Sequence, residues 1–282
     1  MKREILINGG RRETRVAILE DDRLVELLYD RPDQRRSLGD IYLGRVDAVL
    51  PGIQAAFVDI GLEKSAFLHA SDLLEPDEDE DPDERDDDAD VPDEDALEAS
   101  NGNPRDKAAP RQREVDHRSA VPNIQDLLKK GQTILVQVTK EPISTKGSRV
   151  TAQISLPGRF LVYMPYASRI GVSRKIESRD QRAKLREMVR KVLPEDAGGV
   201  IVRTVAEGVT EEQVTREVES LLGLWKKINR KKGFVRAPAL VQRETSLTRG
   251  IIRDLFSAKV DALYVDTKEL FNEVEQYLEQ ID

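Results

Sequence analysis

Cysteine is absent from the 282 residues, and histidine occurs only as His69 and His117. The first absence excludes a disulfide framework and any thiolate-held metal. The second leaves too few imidazoles for a multi-histidine metal centre. No stretch approaches the ~18 consecutive apolar residues of a membrane span, and none resembles a signal-peptide core. The chain is therefore expected to be soluble and cytoplasmic. Also missing are a P-loop, a dinucleotide fingerprint and a nucleophile–base arrangement. Asp266, Asp282 and the neighbourhood of Asp59 supply no carboxylate pair at a readable catalytic spacing. The residues alone show no catalytic centre and no metal site.

Charge is abundant but unevenly placed. The formal net charge is −8, yet residues 75–98 hold 16 acids against the single base Arg85. Setting that block's −15 aside leaves +7 on the remaining residues. A mildly basic body with an acidic block suits a nucleic-acid binder better than the overall acidity does. Residues 75–122 combine low hydrophobicity with high charge and show no period, which reads as a disordered insertion in a loop. An ion-binding or nucleic-acid-mimicking role for the block ranks below a plain solvated insert.

Strand patterns flank the insert. Residues 15–20 (RVAILE) and 23–29 (RLVELLY) flank Asp21-Asp22 and predict a hairpin. Residues 40–49, 53–60 and 65–69 before the insert, and 133–140 and 149–155 after it, predict five short strands with glycines at the corners. That pattern fits a small barrel of the OB type. From residue 156 strands and helices alternate, as in an α/β region. Ser178 with Gln181, and Thr210 with Gln213, mark two helix starts. Val214, Val218, Leu221, Leu222, Trp225 and Ile228 share one face of the second. A strand is expected over 199–205, a helix over 246–256, a strand over 260–266 and a helix over 267–281.

Two groups of residues stand out as candidate sites. Phe57 and Phe67 occupy alternating strand positions, where an aromatic is most often core. On an OB barrel with basic neighbours they also make base-stacking platforms, each stack worth about 1–3 kcal/mol. Arg45, Lys64, Lys140 and Lys146 are the phosphate partners such a platform needs, with Lys146-Gly147 read as a mobile turn. Arg203-Thr204 is the sharper signal. It falls between the end of an apolar strand and a helix start near Thr210, where free N–H groups and the helix dipole favour an anion. An arginine fork and a hydroxyl both suit phosphate. On spacing alone, an exposed strand-end arginine is an equally good reading. Binding of RNA or single-stranded nucleic acid is the function the residues point to.

Several runs together resemble the amino-terminal half of the ribonuclease E/G family: MKREILIN at the start, IYLGRV (41–46), QAAFVDIGLEKSAFL (54–68), GQTILVQVTKE (131–141), TAQISLPGRFLVYMP (151–165), GVSRKIE (171–177) and VIVRT (200–204). The resemblance implies a mixed α+β, multidomain architecture. An RNase H-like α/β part would join residues 1–35 to 249–282, an S1-type OB barrel would span 36–152 around the insert, and an α/β 5′-sensor region would span 153–248. It also implies a Mg²⁺-dependent endoribonuclease that cuts single-stranded, AU-rich RNA, prefers a 5′-monophosphate end, and acts in RNA decay and in ribosomal and transfer RNA maturation. By residue, Arg203 and Thr204 match the 5′-monophosphate pair, Gly158 and Val162 border that pocket, and Arg174 is a nearby basic position. Phe57, Phe67 and Lys146 match barrel contacts to RNA. Leu43 stands where relatives carry lysine, implying weaker barrel affinity.

The family's DNase I-like domain, with its pair of metal-binding aspartates, has no counterpart in these residues. YVDTKELF (264–271) matches only the step before it, and the cysteine motif that links subunits through zinc in some members is missing. The chain is accordingly expected to be a portion of a longer enzyme, catalytically inactive alone and possessing no cofactor of its own, with Mg²⁺ and homo-oligomerisation belonging to the full-length protein. The runner-up is a stand-alone RNA-binding regulator, and an interaction module working through the acidic block ranks last.

Overall fold

A computed structural model describes residues 2–31, 36–74, 122–144, 146–256 and 260–281. Of the run expected to be disordered, 75–122, residues 75–121 lie outside the described residues. The rest is mixed α+β, built on three sheets.

The first sheet has the order β14-β1-β2-β3, from β1 (Arg3–Gly9), β2 (Thr14–Glu20), β3 (Arg23–Asp30) and β14 (Ala262–Val265). Strands β1 and β14 run parallel, with Leu6 opposite Tyr264, so the start and end of the described chain share one sheet. Asp21 and Asp22 turn the β2–β3 hairpin at φ 48° and 62°. A two-residue hairpin turn of this hand needs both central residues left-handed, which aspartate tolerates. Alternation along β1 sends Ile5 and Ile7 to one face. There they pack with Val16 against Ile251 and Ile252 of α4 (Leu247–Leu255) and Val274 of α5 (Lys268–Ile281).

The second sheet closes on itself. Strands β4 (Ile41–Leu50), β5 (Ala55–Asp59), β6 (Ala66–His69), β8 (Arg149–Thr151) and β7 (Thr133–Lys140) pair in that order, and β7 pairs back to β4. This is a five-stranded OB-like barrel. It encloses Val46, Val58, Leu68, Val136, Val138 and Val150, and Ile124 of the short helix α1 (Ile124–Leu127) packs with them. Two expected strands are shorter than their patterns. Pro51, Gly52 and Ile53 form a 3-10 turn, so β5 starts at Ala55. Proline is well placed at the start of such a turn because it has no N–H to leave unpaired. Strand β8 stops at Thr151, and the Gln137 side chain takes up the next segment, accepting from Ser155 N at 2.8 Å and donating to its carbonyl at 3.0 Å.

The third sheet has the order β11-β12-β10-β9, from β9 (Leu156–Pro157), β10 (Leu161–Met164), β11 (Ile170–Val172) and β12 (Gly199–Val202). Helices α2 (Arg179–Val192) and α3 (Glu211–Phe234) accompany it. Ser178 caps α2, and Thr210 with Gln213 forms a complete capping box on α3. Buried Leu185, Val189, Val214, Val218, Leu221 and Ile228 share one core with Val200 and Val202. Strand β13 (Ala239–Gln242) then adds to the barrel edge beside β4, with Ala239 opposite Leu43. Leu43 is buried in the third sheet's core, together with Leu135 and Val241. A lysine-for-leucine difference there bears on core packing, so it is no measure of how the barrel surface holds RNA.

Candidate nucleic-acid interface

Register alone gathers the strand-end residues. Strands β11 and β12 are parallel with Val172 opposite Val202, so their carboxyl ends lie side by side. Arg203-Thr204 therefore emerges beside Ser173-Arg174, and Ser173 N donates to the Val202 carbonyl at 2.9 Å. Strand β10 is antiparallel to β12 with Leu161 opposite Val202, which brings its leading loop, 158–160, to the same end. Arg203 N donates to the Phe160 carbonyl at 2.8 Å. Arg203 Nη1 donates to the Gly158 carbonyl at 2.8 Å. Val162 sits one step along β10, opposite Ile201. Gly158, Val162, Arg174, Arg203 and Thr204 thus meet at one sheet end. Thr204 and Arg174 are exposed, and Arg203 and Val162 half-buried. The strand expected over 199–205 ends at Val202, and the chain passes through a 3-10 turn, Thr204–Ala206, before Thr210 caps α3 where the spacing placed the helix start.

Carboxylates surround this arginine. Asp254 of α4 accepts from Arg203 Nη1 at 2.7 Å. It also accepts from Arg253 Nε at 3.2 Å and Nη2 at 3.1 Å. Burial works to raise the Asp254 carboxyl, but hydrogen bonds and charge from Arg253 and Arg203 outweigh it and hold the carboxyl below its ordinary range. Glu217 of α3 accepts from the Arg159 and Phe160 backbone N–H groups at 2.6 and 2.9 Å. There burial dominates and pushes the carboxyl up, despite those bonds and the nearby Arg203 charge. Gly158 suits this crowding: a Cβ would lie 2.8 Å from the Glu217 carboxyl carbon and 3.0 Å from the Leu161 carbonyl. The Arg159 guanidinium lies 5.3 Å from the centre of the Phe160 ring, and its buried Nε has no partner among the described residues.

The barrel offers a different surface. Phe57 and Phe67 are direct cross-strand partners, half-exposed, with ring centres 6.2 Å apart and edge to face. Phe67 in turn pairs with Arg149, and Arg149 with Lys140. The four form a continuous row across β5, β6, β8 and β7: two aromatic rings, then two cations. Lys146 is exposed three residues before Arg149. Its neighbour Gly147 packs closely on the chain just before β6, where an added Cβ would collide with the Ser65 carbonyl oxygen. Lys64, on the other side of Ser65, donates to the Ser144 carbonyl at 3.0 Å. Arg45 lies opposite Asp59 and donates to the Ala237 carbonyl at 2.7 Å, leaning toward the segment that leads into β13. Of the barrel candidates it is the one set apart from the row.

Residues 155–282 match the model of the ribonuclease E/G family. Ribonuclease G of Haemophilus influenzae is 37% identical over 277 residues, which cover 98% of this chain and 50% of that protein. Ribonuclease G of Escherichia coli K12 is 37% identical over 95% of this chain and 48% of its own length. Ribonuclease E of a Nostoc species is 36% identical over 93% of this chain and 32% of its own.

This chain belongs to the ribonuclease E/G family.

It spans about half the length of the ribonuclease G relatives it matches. Among the described residues of this family member, no three histidines or carboxylates gather closely enough to hold a metal ion. Asp266 is committed elsewhere, accepting from the Gly9 N–H at 2.8 Å and from the Asn8 amide. Among the described residues no helix is long and apolar enough to cross a membrane. Sequence reading missed Arg149, Arg159, Glu217 and Asp254. Arg149 carried a faint signal as the first residue of an expected strand. The others are brought in by contacts across 51 and 58 residues of chain and left no local pattern.

Proposed function

We propose that this chain is the RNA-recognising portion of an endoribonuclease of the E/G type, one that acts on single-stranded, AU-rich RNA in processing and decay. Single-stranded RNA lies on the row Phe57–Phe67–Arg149–Lys140, with Lys146 at its side, and a 5′-monophosphate end is held by Arg203 and Thr204. The observation that carries the reading is the convergence of Gly158, Val162, Arg174, Arg203 and Thr204 at the carboxyl ends of two parallel strands. A guanidinium fork and an exposed hydroxyl there can take a terminal phosphate, which has more charge and more free oxygens than an internal phosphodiester. The two rings serve bases of any sequence, because every base has a stacking face. Hydrolysis and its Mg²⁺ belong, on this reading, to the full-length enzyme, and the chain alone binds RNA without cutting it.

Fluorescence anisotropy on two RNAs of one sequence, differing only in a 5′-monophosphate or 5′-hydroxyl, tests the assignment. The phosphorylated RNA should bind more tightly. Arg203→Ala should abolish the difference and keep the common component, whereas Phe67→Ala should weaken both RNAs alike. Equal affinity of the unaltered chain for the two ends would remove the sensor assignment.

A further inference from the structure

We propose that Asp254 is a built-in counter-anion that makes Arg203 selective for a terminal phosphate over an internal one. The inference rests on the reading of Arg203 as a phosphate-binding residue. Asp254 accepts from Arg203 Nη1 at 2.7 Å, so one edge of the guanidinium is already matched by a carboxylate. That carboxylate is not wholly dependent on Arg203. Arg253 donates to both of its oxygens, at 3.2 and 3.1 Å. Arg253 is itself anchored from behind by Glu244 Oε1 at 2.8 Å and by the Pro157 carbonyl at 3.4 Å. If Asp254 releases Arg203, it keeps a partner. If Arg203 loses Asp254, it is left with the Gly158 carbonyl and needs an anion. The exchange is therefore open to a competitor that outbids one carboxylate.

An internal phosphodiester is a poor competitor. It carries a single negative charge on two free oxygens and would displace a tethered group of equal charge, while losing its own freedom of motion. A terminal monophosphate carries nearly two charges on three free oxygens. It matches the arginine fork bidentately and leaves an oxygen for the Thr204 hydroxyl. Asp254 thus sets a threshold that only the doubly charged end crosses. A purely structural ion pair between α4 and the third sheet would set none.

The test uses the intact 282-residue chain, the same RNA pair, and the variants Asp254→Asn, Asp254→Ser and Arg203→Ala. Removing the carboxylate charge should tighten binding of the 5′-hydroxyl RNA several-fold, because Arg203 is then open to internal phosphates. The preference for the phosphorylated end should shrink. The salt dependence of 5′-hydroxyl RNA binding should steepen by about 0.7 in the log–log slope, the share of one added single-strand phosphate contact. Thermal melts identify any variant that has lost its fold. For that case, the carboxyl carbon of Asp254 in the unaltered, ¹³C-labelled chain should shift on adding a 5′-phosphorylated dinucleotide and stay still with its hydroxyl twin. A folded Asp254→Asn chain that keeps the full preference overturns this inference alone. So does one that merely loses affinity for the phosphorylated RNA, or a carboxyl signal unmoved by a bound phosphorylated dinucleotide. A wild-type chain with no preference overturns the reading of Arg203 as well.

Discussion

Phe57 and Phe67 stand half-exposed on the barrel with no polar group to satisfy, in line with Arg149 and Lys140. Arg203, at the end of the third sheet, already holds a carbonyl and a carboxylate. Arg149 also meets a carboxylate, Asp72 at 3.3 Å, so the contrast lies in the rings: the barrel adds two partly exposed aromatics beside its cations, whereas the cation at the sheet end stands among carboxylates and a backbone carbonyl. On the function proposed above, the first region supplies affinity and the second supplies choice. The glycines differ in the same sense. Gly147 is pressed against backbone, and Gly158 against a side-chain carboxyl as well as a carbonyl.

The largest expected effect tests that last contrast. Gly147→Ala should cost about 3 kcal/mol of stability in urea unfolding, since the Ser65 carbonyl can move only by opening the barrel. Gly158→Ala should cost nearer ~1 kcal/mol, because the Glu217 side chain can yield. Equal losses would mean that the two regions are equally rigid. Phe67→Ala comes next: it should weaken RNA binding by about 1–3 kcal/mol, equally for both 5′ ends. A loss confined to the phosphorylated RNA would erase the division of labour.

A smaller effect concerns pH. Burial raises the Glu217 carboxyl above its ordinary value of 4.5. Its contribution to stability is therefore fully present below 4.5 and is lost as pH rises through the folded-state value. Relative to wild type, Glu217→Gln should thus be more favourable at pH 7 than at pH 4.5, as melts at the two pH values would reveal. Asp254 is held low, so its contribution has the opposite sign: it is present above 3.8 and fades on acidification through the folded-state value. Smallest of all is the ring pair. A double-mutant cycle on Phe57 and Phe67 should give about 0.5 kcal/mol of coupling in the free protein. No coupling would mean that the rings are held by the barrel and not by each other.

Much of the architecture was legible because it is local. The β2–β3 hairpin follows from two aspartates between apolar runs, and the capping residues Ser178 and Thr210 announce α2 and α3. The barrel strands were recognisable from their β-branched runs. Strand β13 was not, because its four residues pair with β4 almost 200 positions away and carry no pattern that asks for a sheet edge. Strands β9 and β10 are short, and Gly158, Arg159 and Phe160 separate them. Arg203 could be found because a strand visibly ends before it. Asp254 could not, because its ion pair spans 51 residues and joins elements whose spacing says nothing of each other. The row from Phe57 to Lys140 depends on the parallel pairing of β6 with β8, which no hairpin signal predicts.

Gln54 links the two flanks of the 75–121 stretch. In a left-handed conformation at φ 51°, it accepts the Ala70 N–H on its carbonyl at 2.8 Å and the Ile124 N–H on its side-chain oxygen at 3.0 Å. With exit and re-entry tied to one residue, the length of chain between them has little leverage on the barrel, since each doubling of a flexible loop adds only about 0.6 kcal/mol of closure entropy. The position is a natural splice point. A fluorescent protein or affinity handle with neighbouring termini could replace the acidic stretch there, reporting on the barrel from a site that its fold already keeps open to exchange.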